Sequence, residues 1–330
     1  MKKALLIAPD TFQYYRFIKN ELECKNVKTD FVNSLASQNN LYRAAIRLFP
    51  SIFEKVQDIY FKINTVKTDY DYIIVIKGEG VTESTLSRLK KKNINAKFIY
   101  YTWDSVSNLS NKIYKSEIFQ KKYTFDYKDS SLGFVHQPLF FSSLYSKENK
   151  VENNNKLFFV GTLHSDRYND IYQIAQDINK SRKDENSYIY IYYPSKLLFF
   201  IKKNILNSFS NVDFKKIKFR KLPQSTTASL MKSSAAVLDI CHSNQSGLTM
   251  RTIETLGCQK KLITNNRNIL RYDFYNPSNV YIIDCDSRDL SDFIVEDYAY
   301  LNDNIYNSYS LSFWVDRVVF GEHEEKNYIS

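Results

Sequence analysis

Residues His242 to Thr264 read HSNQSGLTMRTIETLGCQKKLIT, and the reading of this stretch decides the fold. It holds two of the chain's seven glycines, Gly247 and Gly257. Between them, Met250, Ile253 and Leu256 recur at helical spacing and can serve as core. Gly247, Arg251, Glu254 and Cys258 fall on the other face through i, i+4 and i+7 steps. The apolar Lys261–Thr264 follows as a strand. A polar loop, a short helix and a buried strand make one repeat of a parallel α/β sheet.

The same rhythm runs outward in both directions. In the first half, Lys3–Ala8, Val27–Val32, Tyr72–Ile76 and Lys97–Tyr101 read as strands. The run YIIVI at Tyr72–Ile76 is wholly apolar, as in parallel sheets covered on both faces. Tyr123–Phe125 and Gly133–Val135 read as short final strands. Helical spacing marks Tyr14–Cys24 and the long Leu41–Asn64, where Leu41, Ala45, Leu48, Ile52 and Val56 share one face. A further helix before residue 93 ends in Arg88, Lys90, Lys91 and Lys92, favourable at a helix C-terminus.

The polar ENKVENNNK, residues 148–156, lacks periodicity and reads as a linker. Beyond it the strands Leu157–Val160, Tyr188–Tyr193, one within Val212–Arg220, Ala235–Ile240, Lys261–Thr264 and Val280–Ile283 alternate with helices at Tyr168–Arg182 and Thr226–Ser233. The expected class is α/β, with two Rossmann-like domains and a cleft between them. The expected bounds are 1–147, the linker, 157–304, and a C-terminal helix, 305–330, returning toward the first domain. Ligands of such sheets sit beyond the carboxyl ends of the strands.

Gly247-Leu248-Thr249-Met250-Arg251-Thr252-Ile253-Glu254-Thr255-Leu256-Gly257, with Lys261–Thr264 after it, resembles the second-domain motif of GT-B glycosyltransferases. The resemblance is to the CgeB-like and bacterial capsule or lipopolysaccharide enzymes, and it covers about 25 residues, together with the Phe-Val-Gly-Thr start of the second domain. It implies that Glu254 binds the donor's ribose and that the helix N-terminus faces the diphosphate. The chemistry of the residues agrees. Backbone N–H groups at Gly247, Leu248 and Thr249 would hold anionic oxygens at the positive helix end. The planar fork of Arg251 suits phosphate. The alternative is a surface Arg251–Glu254 ion pair, worth a few tenths of a kcal/mol. Retaining members carry a first glutamate eight positions before the second, where this chain has Ser246, so the stereochemical outcome stays open.

Other candidates lie just past strand ends. The resemblance implies that the loop Gly161-Thr162-Leu163-His164-Ser165-Asp166-Arg167 touches the donor phosphates. Arg167 and the backbone of Gly161 and Thr162 are natural anion ligands, and His164 can donate to a phosphate or hydroxyl. Asp166 or Ser165 would otherwise cap the next helix. Arg220 precedes Leu222-Pro223 and would flank the nucleobase. In the first half, Asp104 and then Glu79 are candidates for the base that deprotonates an acceptor hydroxyl. Asp104 can equally cap the segment after it, and Trp103 can stack on a sugar or fill the core.

Composition narrows the class. Of 330 residues, 43% are hydrophobic and 25% charged, which marks a folded chain rather than a disordered one. A net charge of +10 favours phosphate-bearing partners or anionic lipid surfaces. The four cysteines show neither paired nor metal-type spacing and read as reduced thiols of a cytoplasmic protein. The apolar run of MKKALLIAPDTF is too short for a signal-peptide core, and no stretch approaches the ~20 apolar residues of a membrane span. Residues Tyr193–Phe209 mix apolar side chains with Lys196, Lys202 and Lys203. They suit either the inner face of an anionic membrane or a buried helix with a solvated basic end.

The expected activity is therefore transfer of a sugar from a nucleotide-diphosphate sugar. The acceptor would be a saccharide or lipid-linked saccharide of a surface polysaccharide, O-antigen, capsule or glycolipid. No cofactor is expected beyond the donor itself, and a metal is not required, because a helix N-terminus and arginines can neutralise the leaving diphosphate. A nucleotide-sugar epimerase of the same fold, or a non-catalytic nucleotide- or nucleic-acid-binding protein, are the rivals. Dispersed lysines argue against nucleic acid.

Overall fold

The structure is a computed structural model. It describes the chain except residues 11–12, 38, 40–41, 43–47, 66, 68, 110, 148–152, 164–166, 181–186, 207, 242–245 and 330. Two compact units result. The first comprises Met1–Leu139, Gln245–Gly247 and Leu311–Tyr328; the second comprises Phe140–Asn244, Leu248–Ser310 and Ile329–Ser330.

In the first unit, β1 (Lys2–Ala8), β2 (Val27–Asn33), β3 (Tyr72–Ile76), β4 (Lys97–Tyr101), β5 (Lys121–Thr124) and β6 (Val135–His136) form one parallel sheet, ordered β2-β1-β3-β4-β5-β6. β3 is buried at every position, as its unbroken apolar run requires. Helices α1 (Tyr14–Cys24), α2 (Pro50–Asn64) and α3 (Glu83–Lys92) belong to this unit. Thr82 caps α3 by accepting the Thr85 N–H. Leu5, Ile7, Ile73, Val75, Phe98 and Tyr100 of the sheet pack with Phe61, Leu86 and Leu89 of the helices.

In the second unit, β7 (Asn155–Thr162), β8 (Ser187–Tyr192), β9 (Ile217–Lys218), β10 (Ser234–Asp239), β11 (Lys261–Thr264) and β12 (Val280–Ile282) form a parallel sheet ordered β12-β11-β10-β7-β8-β9. Its helices are α4 (Tyr168–Lys180), α5 (Lys196–Asn204), α6 (Gln224–Lys232), α7 (Met250–Gly257), α8 (Leu290–Val295) and α9 (Asp303–Ser308). Both units are Rossmann-like. Strand order reverses between β1 and β3 in the first sheet and between β7 and β10 in the second, and such switch points open a crevice at the strands' carboxyl ends.

Several local readings change. Of the long Leu41–Asn64 helix, residues 41 and 43–47 lie outside the described residues, and α2 begins only at Pro50 with Phe49 as its N-cap. β7 begins at Asn155 and runs through Gly161 and Thr162, which pair with Ile191 and Tyr192 of β8, so these two residues are strand rather than loop. The segment after α9 is not one helix: α10 (Leu311–Val315) passes into a π-helical turn at Asp316–Phe320. That stretch is counted with the first unit, where Trp314 is buried against Tyr101 and Asp316 pairs with Lys25. Phe140–Lys147, placed before the linker by composition, groups with the second unit. Its Phe141 N–H donates to the Tyr309 carbonyl and its ring lies against Tyr306.

Candidate functional site

β10 ends in Asp239, and α7 begins ten residues later with Thr249 as its N-cap. The Thr249 hydroxyl accepts the Thr252 N–H at 3.1 Å and donates to Asp239 Oδ2 at 2.5 Å. The Thr252 hydroxyl donates to the same oxygen at 2.6 Å. The buried carboxylate thus ties the strand end to the first turn of the helix. Just past β10, the Cys241 thiol is pushed up to about 11, by burial first and by Asp239 second, while the Arg167 guanidinium opposes them.

Arg167 opens the turn into α4 after β7. It is half-buried, and its Nε meets no hydrogen-bond partner among the described residues. A cation with spare donor capacity therefore stands at the carboxyl ends of β7 and β10, the switch point of this sheet. His164, with Ser165 and Asp166, lies outside the described residues. Arg220, exposed beyond β9, presents its carbonyl to the Tyr190 hydroxyl at 2.7 Å.

The glycine-led turn before α7 is closed rather than open. Ser246, Gly247 and Leu248 are all buried. The Ser246 hydroxyl sits 2.6 and 2.8 Å from the two carboxylate oxygens of Asp126. A Cβ on Gly247 would meet the Phe125 ring at 2.5 Å, so glycine is required here by close approach and not by an anion. The backbone expected to be exposed at Gly247 and Leu248 is buried, and of α7 and its cap only Thr249, Met250 and Arg251 are partly exposed.

Glu254 is 1% exposed and accepts from Arg251 Nη1 at 2.9 Å. The pair is therefore not on the surface. Arg251 lies over the Phe158 ring and beside Tyr145, whose hydroxyl is raised by burial, with Glu254 adding and Arg251 opposing. Of the two partners Arg251 keeps some contact with solvent, at 20% side-chain exposure against 2% for Glu254.

At the switch point of the first sheet, Lys77 follows β3. Its Nζ stands 3.1 Å from Glu79 Oε1 and 2.6 Å from Asp104 Oδ2, so one ammonium joins both candidate bases. Burial alone would lower Lys77, but the two carboxylates outweigh it and hold the ammonium above its ordinary value. Lys77 and Gly78 both take left-handed backbone, at φ 61 and 64. Asn111 fastens the turn through the Gly78 and Glu79 carbonyls. Asp104, with 40% of its side chain exposed, is more accessible than Glu79 at 16%. It is also not a helix cap, because Ser105 occupies that position. Trp103 is half-buried against Tyr14 and Tyr101.

Sequence reading passed over Asp239, Asp126 and Tyr145. The first two carried a usable signal, an acid closing or following an apolar strand. Tyr145 carried none. In α5, Phe199 is buried while Leu197, Leu198 and Phe200 are exposed, and Lys196 and Lys202 lie over the rings of Phe219 and Phe209. Among the described residues no helix is long and apolar enough to cross a membrane.

The chain matches no protein-family model and no curated protein sequence. Solved structures do match. The UDP-GlcNAc 2-epimerase of Methanocaldococcus jannaschii, in complex with UDP-GlcNAc and UDP, aligns with a TM-score of 0.50 at 12% identity, over 97% of this chain and 100% of that one. The fold is GT-B. HepE of Anabaena, in complex with UDP and glucose, gives 0.49 at 12% identity, over 96% of this chain and 95% of its own. MurG of Acinetobacter baumannii gives 0.45 at 8% identity, over 80% and 78%. At such identities the likeness is one of fold.

Proposed function

We propose that the protein is a glycosyltransferase that moves a sugar from a nucleotide-diphosphate donor to a saccharide or lipid-linked saccharide acceptor. The products would be surface polysaccharide, O-antigen, capsule or glycolipid, made in the cytoplasm or at the inner face of the membrane. One observation carries the reading. Arg167, whose Nε meets no hydrogen-bond partner among the described residues, stands at the carboxyl ends of β7 and β10, beside the strand that leads into α7.

In this reading the donor diphosphate lies against Arg167, the partly exposed Arg251 and the first turn of α7, rather than on the covered Gly247 and Leu248. These cations neutralise the charge that develops as the bond from the sugar to the phosphate breaks and the diphosphate leaves with the electron pair. No metal is needed for that neutralisation. The acceptor hydroxyl forms the new bond to the anomeric carbon and passes its proton to Asp104, the more open of the two carboxylates held by Lys77. A ribose gripped by Glu254 requires the Arg251 pair to open first. Arg220 and Gly161–Thr162 take flanking roles at most.

Thermal shift against UDP, GDP, CMP and dTDP, followed by assay with the matching sugar donors, tests the reading. One nucleotide class should stabilise the protein, and Arg167→Ala should lose at least about tenfold in its affinity. Asp104→Asn should keep the nucleotide shift while turnover falls about a hundredfold or more. Stabilisation by no nucleotide, or an undiminished shift in Arg167→Ala, would overturn it. Isomerised free nucleotide sugar, formed without any acceptor, would replace transfer by epimerisation.

A further inference from the structure

α2 turns the wrong face inward. Its core side is Gln57 and Phe61, with Phe53 and Tyr60 at the margin, while Ile52, Val56, Ile59 and Ile63 are 63, 41, 60 and 67% exposed. Leu48 and Phe49, just before the helix, extend the row at 72 and 57%. Steps of four, three and four along Ile52, Val56, Ile59 and Ile63 place these side chains in one continuous stripe. Isolated exposed apolar side chains are ordinary; an aligned row of them marks a contact surface.

The charges beside the stripe are basic, while of the helix's own acids Asp58 accepts from Thr82 and Thr85 and the exposed Glu54 lies round the helix from the stripe. Lys55 and Lys62 are exposed and follow one edge of it, seven residues apart. The basic last turn of α3 lies off the C-terminal end of α2, since Arg88 Nη1 donates to the Thr65 hydroxyl at 3.0 Å. That turn brings the exposed Lys91 and Lys92, followed by Ile94 at 74% exposure.

We propose that this stripe docks the protein on an anionic phospholipid surface. Ile52, Val56, Ile59 and Ile63 would reach the acyl boundary, and Lys55, Lys62, Lys91 and Lys92 would sit among the headgroups. A second copy of the chain fits less well. In an antiparallel pairing through the stripe, Lys55 and Lys62 would face the partner's lysines. In a parallel pairing they would face Phe53 and Tyr60, with no acid to answer them. The α5 patch is a poorer candidate, because Lys196 and Lys202 lie over rings and Lys203 donates to the Val212 carbonyl. The inference concerns the first unit's own surface and does not depend on the sugar-transfer reading.

The test is sedimentation of the full chain with sucrose-loaded vesicles of phosphatidylcholine, with or without about 30% phosphatidylglycerol. The protein should pellet with the anionic vesicles, stay in solution with the neutral ones, and be released by salt. Ile52→Ser with Ile59→Ser, or Lys55→Glu with Lys62→Glu, should cut the bound fraction about tenfold. Leu197→Ser with Leu206→Ser on and after α5 should leave it unchanged. Urea unfolding confirms that each variant stays folded. No pelleting with anionic vesicles, or undiminished pelleting of the α2 variants, would sink the proposal. So would a dimer in analytical ultracentrifugation that the Ile52/Ile59 variant dissolves, which would assign the stripe to a second copy.

Discussion

α7 and α2 both announce themselves by apolar residues at helical spacing, and the fold disposes of them in opposite ways. α7 is a short helix whose Thr252 to Gly257 are all buried, the ionic Glu254 included. α2 is nearly twice as long, yet its aligned isoleucines face solvent and its core side carries a glutamine. Amphipathic spacing fixes which residues share a face. Whether that face turns toward the core depends on the neighbours each helix finds. α7 follows the central strand β10 of its sheet, whereas the neighbouring α3 reaches α2 through Asp58, which accepts from Thr82 and Thr85.

Three measurements can sharpen or break this contrast. The largest effect is expected from Ile253→Ala, which leaves a cavity at a fully buried position of α7; urea unfolding should show a loss of about 3 kcal/mol. A loss near zero would mean that α7 is less enclosed than it stands here. The second uses pH. The Cys258 thiol that ends α7 is pushed up to about 12, chiefly by burial, from its ordinary 9.0. The folded state keeps the proton that the unfolded state releases, so stability is complete below about pH 9 and falls as pH rises toward 12. Between pH 7 and 10 the wild type should therefore lose about 1 kcal/mol more than Cys258→Ala. Equal losses would show a thiol open to water.

The smallest effect belongs to α2. Ile59→Ser exchanges an exposed side chain for one of similar helix propensity and should shift stability by less than about 0.5 kcal/mol. A cost matching that of Ile253→Ala would erase the contrast and require a covered stripe.

Much of the sheet framework was legible beforehand. The apolar runs at Tyr72–Ile76, Lys97–Tyr101 and Lys261–Thr264 became strands with those same ends, because an unbroken buried strand leaves little freedom in its bounds. Less was legible at the sites. That Glu79 and Asp104 share Lys77 depends on β3 and β4 being neighbours in the sheet. That Gly247 serves the Phe125 ring depends on a contact between residues 122 positions apart, which no local pattern records. The facing of α2 was invisible for the same reason, since periodicity names a face but not its direction.

The C-terminal stretch has a consequence for biosynthesis. Trp314, Val315, Val318 and Val319 are buried residues of the first unit, and Asp316 reaches back to Lys25. The sheet of the first unit thus lacks part of its interior until Val319 has been made, long after its own strands. The nascent chain must keep that gap from other hydrophobic surfaces while the intervening second unit is made, so premature stops near Ser310 should yield aggregates rather than a smaller working protein.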